Sequence, residues 1–497
     1  MASRRLSVRA LWGFASWALP LAVVFFVTPM LLDAMGPERF GVLMISLVTP
    51  LIAAQLDFGI ALSAVRRLAA TLAAGRVEAS TLLTIGTALA LCGLALGSLL
   101  WIVAVPVSDG LGFSAVLGNT EGAHLMRLCG LWGTVTLVCS LPGLVARATQ
   151  SFVLITLIQT AATATLWIGA LVMVRANQQL ADIVLLGVGL NILFAIVTAY
   201  AIRRRLIWRT PIRLETRLLL GDWKYSMGMF VSQIASTLVY QFDRVLIAAV
   251  GSPALAGAYA LCINLANKLM AAVVALTAFV FPHASGLHVS GGRAAVEDLL
   301  HALDRSVIVL VVPVVLPGCA LAGSFLSLWV GEFATPELSA TFRLLWLAFA
   351  IASLSVPVGN ILAASGQTAL AARFAWLTAA VVVTSIVALV PRFGLRGAGI
   401  GVLLGMATSL LFNVAARRSL NVTQAPGRLR FWVGITCGVA AQAVVLWLAP
   451  APVATWLGLI VVTTATWSAF YIARVIFGML SPEEARLLKG LAARPRS

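Results

Sequence analysis

The sequence predicts an all-α integral membrane protein, and its composition and hydropathy pattern are the main reasons. Of 497 residues, 61% are hydrophobic and only 10% are charged, whereas soluble domains have about 45–50% apolar and about 25% charged residues. Residues 11–32, 81–105 and 307–330 contain no charged side chain. Each segment exceeds the roughly 18–20 residues that a helix needs to cross about 30 Å of hydrocarbon. A helix is required because an isolated span must satisfy its own backbone hydrogen bonds.

About fourteen windows of transmembrane length can be placed along the chain. They begin near Leu11, Gly41, Thr81, Leu128, Ser151, Ala181, Tyr225, Ala254, Val307, Thr341, Ala372, Ala398, Phe431 and Ala454. The predicted organisation is a six-helix lobe (1–205), a cytoplasmic inter-lobe loop (206–224) and a second six-helix lobe (225–418). Two further helices (419–477) and a cytoplasmic tail (478–497) complete it.

The net charge of +17 is explained by topology. With a cytoplasmic N-terminus, 26 of the 34 Lys and Arg residues fall in cytoplasmic segments, 6 fall outside and 2 lie within spans. This distribution follows the positive-inside rule. We therefore expect both termini in the cytoplasm and no nucleic-acid partner. The pair Arg392 and Arg396 opposes the rule, and Glu332 or Glu337 is the expected acidic partner that holds it outside.

The two halves of the chain are predicted to be parallel repeats. Residues 31–36 resemble residues 246–251, and Pro142 and Pro357 are separated by the same 215 positions. Six spans lie between the members of each pair, and an even number of spans restores the original direction. Transporters are often built from such repeats, with the substrate site between them.

Nothing in the sequence indicates catalysis, a metal or a cofactor. The four histidines have no metal-ligand spacing, and the chain has no phosphate-binding G-x-x-x-x-G-K-[ST] loop. The largest predicted outer loop is residues 106–123, which is small for holding a soluble substrate. The sequence therefore predicts a carrier and not an enzyme.

Polar residues within the apolar spans mark the candidate site. Ionisable groups at the bilayer centre cost about 2.5–3.5 kcal/mol on insertion scales, so they usually face a bundle interior or a wet cavity. If span seven is one continuous helix, its polar residues share a face. The groups are Gln233, Thr237, Tyr240, Gln241 and Arg244 in span seven, Asn264, Asn267 and Lys268 in span eight, and Gln55 and Asp57 in span two. Arg244 and Lys268 are the predicted cavity cations, although helix–helix hydrogen bonding is an alternative role for the whole set.

Short motifs along the chain resemble those of the polysaccharide transporter family, which contains flippases for lipid-linked oligosaccharides. That family belongs to a superfamily that also holds multidrug antiporters and the lipid II flippase. The motifs are Met35-Gly-Pro-Glu-Arg-Phe-Gly41, Leu56-Asp-Phe-Gly-Ile60 with Arg66-Arg67, Ala256-Gly-Ala-Tyr259, Ala363-Ala-Ser-Gly-Gln367 and Pro391-Arg-Phe-Gly-Leu-Arg-Gly-Ala398. Span one has no acidic residue before Asp33, which favours the sugar-lipid branch over the antiporter branch.

The resemblance implies two lobes around a cavity that opens alternately to either side of a bacterial inner membrane. The implied substrate is a polyprenyl-diphosphate-linked oligosaccharide for surface polysaccharide, such as lipopolysaccharide or exopolysaccharide. Arg244 and Lys268 would hold the diphosphate, and the other site residues, Gln233, Gln241, Asn264, Asn267 and Asp57, would complete the binding site. The lipid tail would pass between the lobes or beside spans thirteen and fourteen. The expected partners of this monomeric carrier are membrane lipid and the polysaccharide polymerase and chain-length proteins.

Two other functions remain open at this stage. A multidrug or cation antiporter of the same fold predicts a cavity dominated by carboxylates. A membrane-embedded polysaccharide polymerase or ligase predicts an essential Arg, His or Asp in a large outer loop.

The charge distribution generates a topology prediction. Reporter fusions at Ser114 and Ser419 are expected to lie on opposite sides of the membrane, the first outside and the second in the cytoplasm. The reason is that the basic residues concentrate in the segments that the span count places in the cytoplasm. Activities of paired alkaline phosphatase and fluorescent-protein fusions measure this. Both reporters on one side would contradict the span count.

Overall fold

A computed structural model of the protein describes residues 2–73, 77–149, 151–203, 208–209, 214, 223–277, 292–365, 367–422, 429–449 and 452–476. They are almost entirely helical and form two compact units, Met1–Ala260 and Leu261–Ser497. Most of the predicted inter-lobe loop (206–224) and the predicted tail (478–497) fall outside the described residues. The predicted lobe boundaries stay predictions.

The first unit is built from helices that follow one another with short connections. They are α1 (Ala2–Gln55), α2 (Ile60–Ala73), α3 (Ala79–Ile102), α4 (Ala104–Gly110), α5 (Phe113–Leu117), α6 (Asn119–Val138), α7 (Leu141–Ala148), α8 (Phe152–Arg175), α9 (Leu180–Ile202), α10 (Trp223–Tyr240) and α11 (Phe242–Val250). Two short strands, β1 (Val77–Glu78) and β2 (Trp208–Arg209), pair in parallel.

Helix α12 (Pro253–Thr277) contains the boundary between the units, and the remaining helices belong to the second unit. They are α13 (Gly292–Ala320), α14 (Ala322–Val330), α15 (Pro336–Ser353), α16 (Val356–Ala364), α17 (Thr368–Ser419), α18 (Leu429–Leu448) and α19 (Trp456–Ile476). A 3₁₀ turn, Gly331–Phe333, separates α14 from α15.

The chain is a multi-pass membrane protein, as predicted. Eleven segments of the described residues are long and apolar enough to cross a membrane. The predicted number of fourteen is not confirmed. Two of the eleven, Leu21–Gln55 and Ala369–Ser419, are single segments in which the sequence predicts two spans each. The predicted seventh span is not among the eleven, and it divides into α10 and the nine-residue α11.

Glycines bend the two longest helices. Gly36 in α1 has φ 74° and ψ 169°, and Gly394 in α17 has φ 55° and ψ −135°. L-residues with a side chain rarely adopt such positive φ values, so both bends require glycine. Each bend lies inside a motif that carried the family resemblance, and these motifs therefore specify chain reversals.

The bend at Gly394 also involves one of the two predicted acidic partners. Glu337 Oε1 accepts a hydrogen bond from the backbone N–H of Leu395 at 3.0 Å, and this N–H belongs to the first turn after the bend. Within the described part of the chain, neither Arg392 nor Arg396 forms an ion pair with Glu332 or Glu337. The acidic residue reaches the predicted turn, but it bonds to the backbone because the N–H groups at a helix start lack partners within the helix.

Helices begin at matching positions in the two halves of the chain, and the parallel orientation of the two halves stays a prediction. The short helix α7 has Pro142 as its second residue, and α16 has Pro357 as its second residue. Helix α9 begins at Leu180, and the second arm of α17 begins at 395, again 215 positions later. Core clusters follow the same plan. One joins Leu144 and Ala146 of α7 to Ile202, and the other joins Val358 and Ile361 of α16 to Ala416.

The second arm of α1, residues 37–55, meets the start of α12 at a contact between backbones. A Cβ atom on Gly41 would collide with the carbonyl oxygen of Pro253, and a Cβ atom on Gly257 would lie 2.8 Å from the Cα of Gly41. Glycine at 41 and 257 therefore permits this approach, and any side chain at either position would force the helices apart.

Gly41→Ala is expected to lower the thermal stability of the purified protein, because overpacking typically costs about 1–3 kcal/mol. Gly189→Ala in α9 is the matched control, since no atom lies within 4 Å of the added Cβ. Thermal unfolding in detergent measures the effect. Equal melting temperatures for the two variants would contradict the close contact.

Candidate functional site

The candidate site centres on a break in the predicted seventh span. Helix α10 ends at Tyr240 and α11 begins at Phe242, with Gln241 between them at φ −131° and ψ −44°. Helical residues have φ near −63°. The predicted common face therefore holds for Gln233, Thr237 and Tyr240 within α10, but the break interrupts it before Arg244.

A buried pair of opposite charges follows the break. The Asp243 side chain is 0% exposed and that of Arg244 is 8% exposed. Asp243 Oδ1 accepts the backbone N–H of Arg244 at 2.9 Å, and Oδ2 accepts the hydroxyl of Tyr259 at 2.6 Å. Both carboxylate oxygens are thus hydrogen-bonded, and the carboxylate fixes the first turn of α11 against α12.

Gln241 itself carries an unsatisfied polar atom. Its side-chain oxygen, Oε1, is buried and has no hydrogen-bond partner within the described residues. A buried polar atom without a partner costs about 1–3 kcal/mol. Such a group in a native structure calls for an explanation, and a binding partner from outside the chain is one.

The predicted residues of span eight lie on one uninterrupted helix. Asn264, Asn267 and Lys268 are half-buried in α12 and share a face through their spacing of three and four residues. They belong to the second unit, whereas Gln233, Gln241 and Arg244 belong to the first. A cavity shared by Arg244 and Lys268 therefore stays a prediction.

Asp57 has a structural task in the turn between α1 and α2. Its two carboxylate oxygens accept the backbone N–H groups of Gly59 at 2.9 Å and Ala61 at 2.6 Å. Phe58 and Gly59 both have positive φ, 54° and 74°, and the Phe58 ring lies 4.8 Å from that of Phe230. This arrangement favours a role in holding the turn over the predicted contact with the substrate.

The chemistry that the residues offer is binding. No group of three or more His, Cys, Asp or Glu side chains suited to a metal ion occurs among the residues that the structure describes. The candidate residues of the first unit are a guanidinium and two amides, and those of the second unit are an ammonium and two amides. These groups bind anions and hydroxyl groups by charge and hydrogen bonding.

Comparison with known families gives the affiliation of the chain. A family described as "Polysaccharide biosynthesis protein" matches residues 34–336, which is more than half of the 497 residues. The chain belongs to this family. Among curated proteins, none matches this sequence.

Solved structures of transporters share the fold. The lipid II flippase MurJ in an inward closed conformation has a TM-score of 0.67 and 14% identity, over 94% of this chain and 99% of that one. An inward-facing multidrug resistance MATE transporter has a TM-score of 0.62 and 12% identity, over 82% and 98%. A MATE transporter of Vibrio cholerae has a TM-score of 0.54 and 15% identity, over 84% and 98%. The family assigns the chain to polysaccharide biosynthesis, and the solved structures show that it shares the fold of these transporters.

Sequence reasoning missed the hydrogen bond between Asp243 and Tyr259. Asp243 is set about 100° from Arg244 on a helix, so the polar stripe did not include it. Two features of the sequence pointed to these residues: Asp243 is an acidic residue within an apolar span, and Tyr259 belongs to a family motif. Neither feature shows that the two side chains form a hydrogen bond.

Asp57→Ala is expected to destabilise the first unit, because removing a side chain that caps helix N–H groups costs about 0.5–2 kcal/mol. Asp57→Asn, which keeps one oxygen acceptor, is expected to lose less. Thermal unfolding of the purified variants measures this, with the exposed Asp33→Ala as control. If Asp57→Ala retained full stability but lost transport, the substrate-binding role would be favoured instead.

Proposed function

We propose that this protein translocates a polyprenyl-diphosphate-linked oligosaccharide repeat unit across the bacterial inner membrane, with both termini in the cytoplasm. The translocated repeat unit would then be used in the synthesis of surface polysaccharide or exopolysaccharide. The family affiliation supports a role in polysaccharide biosynthesis, and the likeness to a lipid II flippase supports a fold that can carry a lipid-linked substrate.

The observation that carries the proposal is the broken helix with Arg244 after the break. Discontinuous membrane helices are typical of substrate sites in transporters. A diphosphate carries at least two negative charges, and a guanidinium binds phosphate oxygens through two parallel hydrogen bonds. Lys268 would add a second positive charge, and the amides of Gln233, Gln241, Asn264 and Asn267 would bind sugar hydroxyls.

The bonding of the two acidic residues supports an anionic substrate over a cationic drug. Asp57 and Asp243 each have both oxygens engaged by hydrogen-bond donors of the protein. These donors partly neutralise each carboxylate, so each attracts a cation less strongly than a carboxylate without donors would. Arg244 and Lys268, in contrast, would attract an anion. An antiporter for lipophilic cations is the alternative function, and the gene deletion described next distinguishes it from a flippase.

Deletion of the gene, followed by analysis of extracted membrane lipids, tests the function. A flippase for lipid-linked sugars predicts that lipid-linked repeat units accumulate on the cytoplasmic side and that surface polymer disappears. Unchanged sugar lipids with increased susceptibility to lipophilic cations would favour the antiporter.

Substitutions at the two cations test the mechanism. Arg244→Ala and Lys268→Ala are expected to abolish polymer export almost completely, and Arg244→Lys to impair it partly because Lys lacks the planar fork. Asn264→Ala, which removes contacts to sugar hydroxyls only, is expected to be milder. Surface polymer and the amount of protein in the membrane are measured together.

The exposed Arg175→Ala at the end of α8 is the control for simple loss of a basic residue. A parallel fall in polymer and protein level for all variants would indicate that these residues hold helices together. Normal protein levels with normal export in both alanine variants would contradict the cationic site.

A further inference from the structure

The first unit contains an apolar pocket of about 270 Å³ between α1, α3, α4, α6 and α11. Its walls include Ile52 from the second arm of α1 and Leu56 directly after that helix. Leu96 and Leu99 from α3 and Phe242 and Val245 from α11 also line it. The lining also includes Thr49, whose hydroxyl donates a hydrogen bond to the carbonyl oxygen of Ile45 at 3.0 Å. The pocket therefore offers carbon surface, and it suits a hydrocarbon chain.

The pocket shares one helical turn with the candidate site. Phe242 and Val245 line it, and Asp243 and Arg244 lie between them in the sequence. The unsatisfied side-chain oxygen of Gln241 precedes the same turn. One turn of α11 thus carries two residues that line the pocket and, between them in the sequence, the guanidinium of Arg244, which is outside the lining. A molecule with an anionic group attached directly to a hydrocarbon chain matches this combination.

We propose that the pocket holds the isoprene units nearest the diphosphate of the lipid-linked substrate. This inference rests on the proposed function, since it assigns the lipid portion of the same ligand. Whole-ligand pockets in proteins are usually about 300–1,000 Å³. A pocket of 270 Å³ holds a segment of a chain, and the rest of the polyprenyl tail stays in the bilayer.

The pocket contributes position more than affinity. Lipid tails are as apolar as leucine, so moving a chain from the bilayer into the protein gains little hydrophobic free energy. Fixing the first units of the chain beside α11 would instead hold the diphosphate next to Arg244. The expected consequence of filling the pocket is poor placement of the diphosphate, and hence slow transport by a folded protein.

Two leucines on α3 form a matched test. Leu99 lines the pocket and is 57% exposed, whereas Leu94 is outside the lining and is 56% exposed. Leu99→Trp should fill the pocket and Leu94→Trp should not. The two positions are otherwise alike, because both are leucines of α3 with nearly equal exposure. The expected result is at least about a tenfold loss of transport for Leu99→Trp, with Leu94→Trp near wild type. Leu99→Phe, a smaller increase in volume, is the second variant if Leu99→Trp is unstable.

The direct measurement is photolabelling of the purified full-length protein by a polyprenyl diphosphate with a diazirine near the diphosphate. Labelling of peptides from α3 and α11, lost in Leu99→Trp and kept in Leu94→Trp, is the expected result. Labelling confined to α18 and α19, or undiminished labelling and transport in both Leu99 variants, would overturn the proposal. Equal competition by a phosphatidylethanolamine would also overturn it, because the pocket would then be a groove for bilayer lipid.

The two proposals can fail separately. If gene deletion leaves sugar lipids unchanged, the proposed function is wrong whatever the labelling shows. If deletion causes accumulation and Leu99→Trp still transports and labels normally, the function stands and the pocket assignment is wrong.

Discussion

Hydrocarbon offers no hydrogen-bond partners, and this constraint governs the whole structure. Each backbone N–H and C=O in a membrane span must find a partner within the protein. Long unbroken helices satisfy this demand, and most of the chain forms them. A helix that breaks within an apolar segment leaves groups that other parts of the protein must bind. The break at Gln241 is such a place, and polar residues gather around it.

Turns and the candidate site use polar residues in different ways. Asp57 and Glu337 accept backbone N–H groups at helix starts, and Gly36 and Gly394 allow bends. Asp57, Gly36 and Gly394 lie in the motifs that are easiest to recognise in the sequence, and Glu337 bonds to the last of these motifs through Leu395. The residues around Gln241 lie in no such turn, and the side-chain oxygen of Gln241 is buried without a hydrogen-bond partner among the residues that the structure describes. The polar atoms of the turn motifs are thus hydrogen-bonded to the backbone, whereas the candidate binding site contains a polar atom that is not hydrogen-bonded to the described residues.

Much of the fold could be predicted from sequence, because hydropathy reports directly on membrane spans. The offset of 215 residues that relates Pro142 to Pro357 in the sequence also relates two short helices, because each proline is the second residue of one. The break at Gln241 could not be predicted, because the surrounding residues include neither Gly nor Pro and their spacing suits a continuous helix. Glu337 was predicted to contact the turn at Arg392 and Arg396, and it does contact this turn. Its hydrogen bond to the backbone N–H of Leu395 could not be predicted, because a sequence does not show which donor of a turn faces a carboxylate. The pocket beside α11 depends on packing between four other helices, and no local pattern encodes it.

We propose that the turn after Gln241 binds the charged group of a lipid. The most direct test is the binding of three ligands to the purified protein: a polyprenol, its monophosphate and its diphosphate, all with the same chain. Affinity is expected to rise with the charge of the head group, and Arg244→Gln is expected to remove most of this rise. Equal affinity for all three ligands, or an unchanged preference in Arg244→Gln, would contradict this role of the turn.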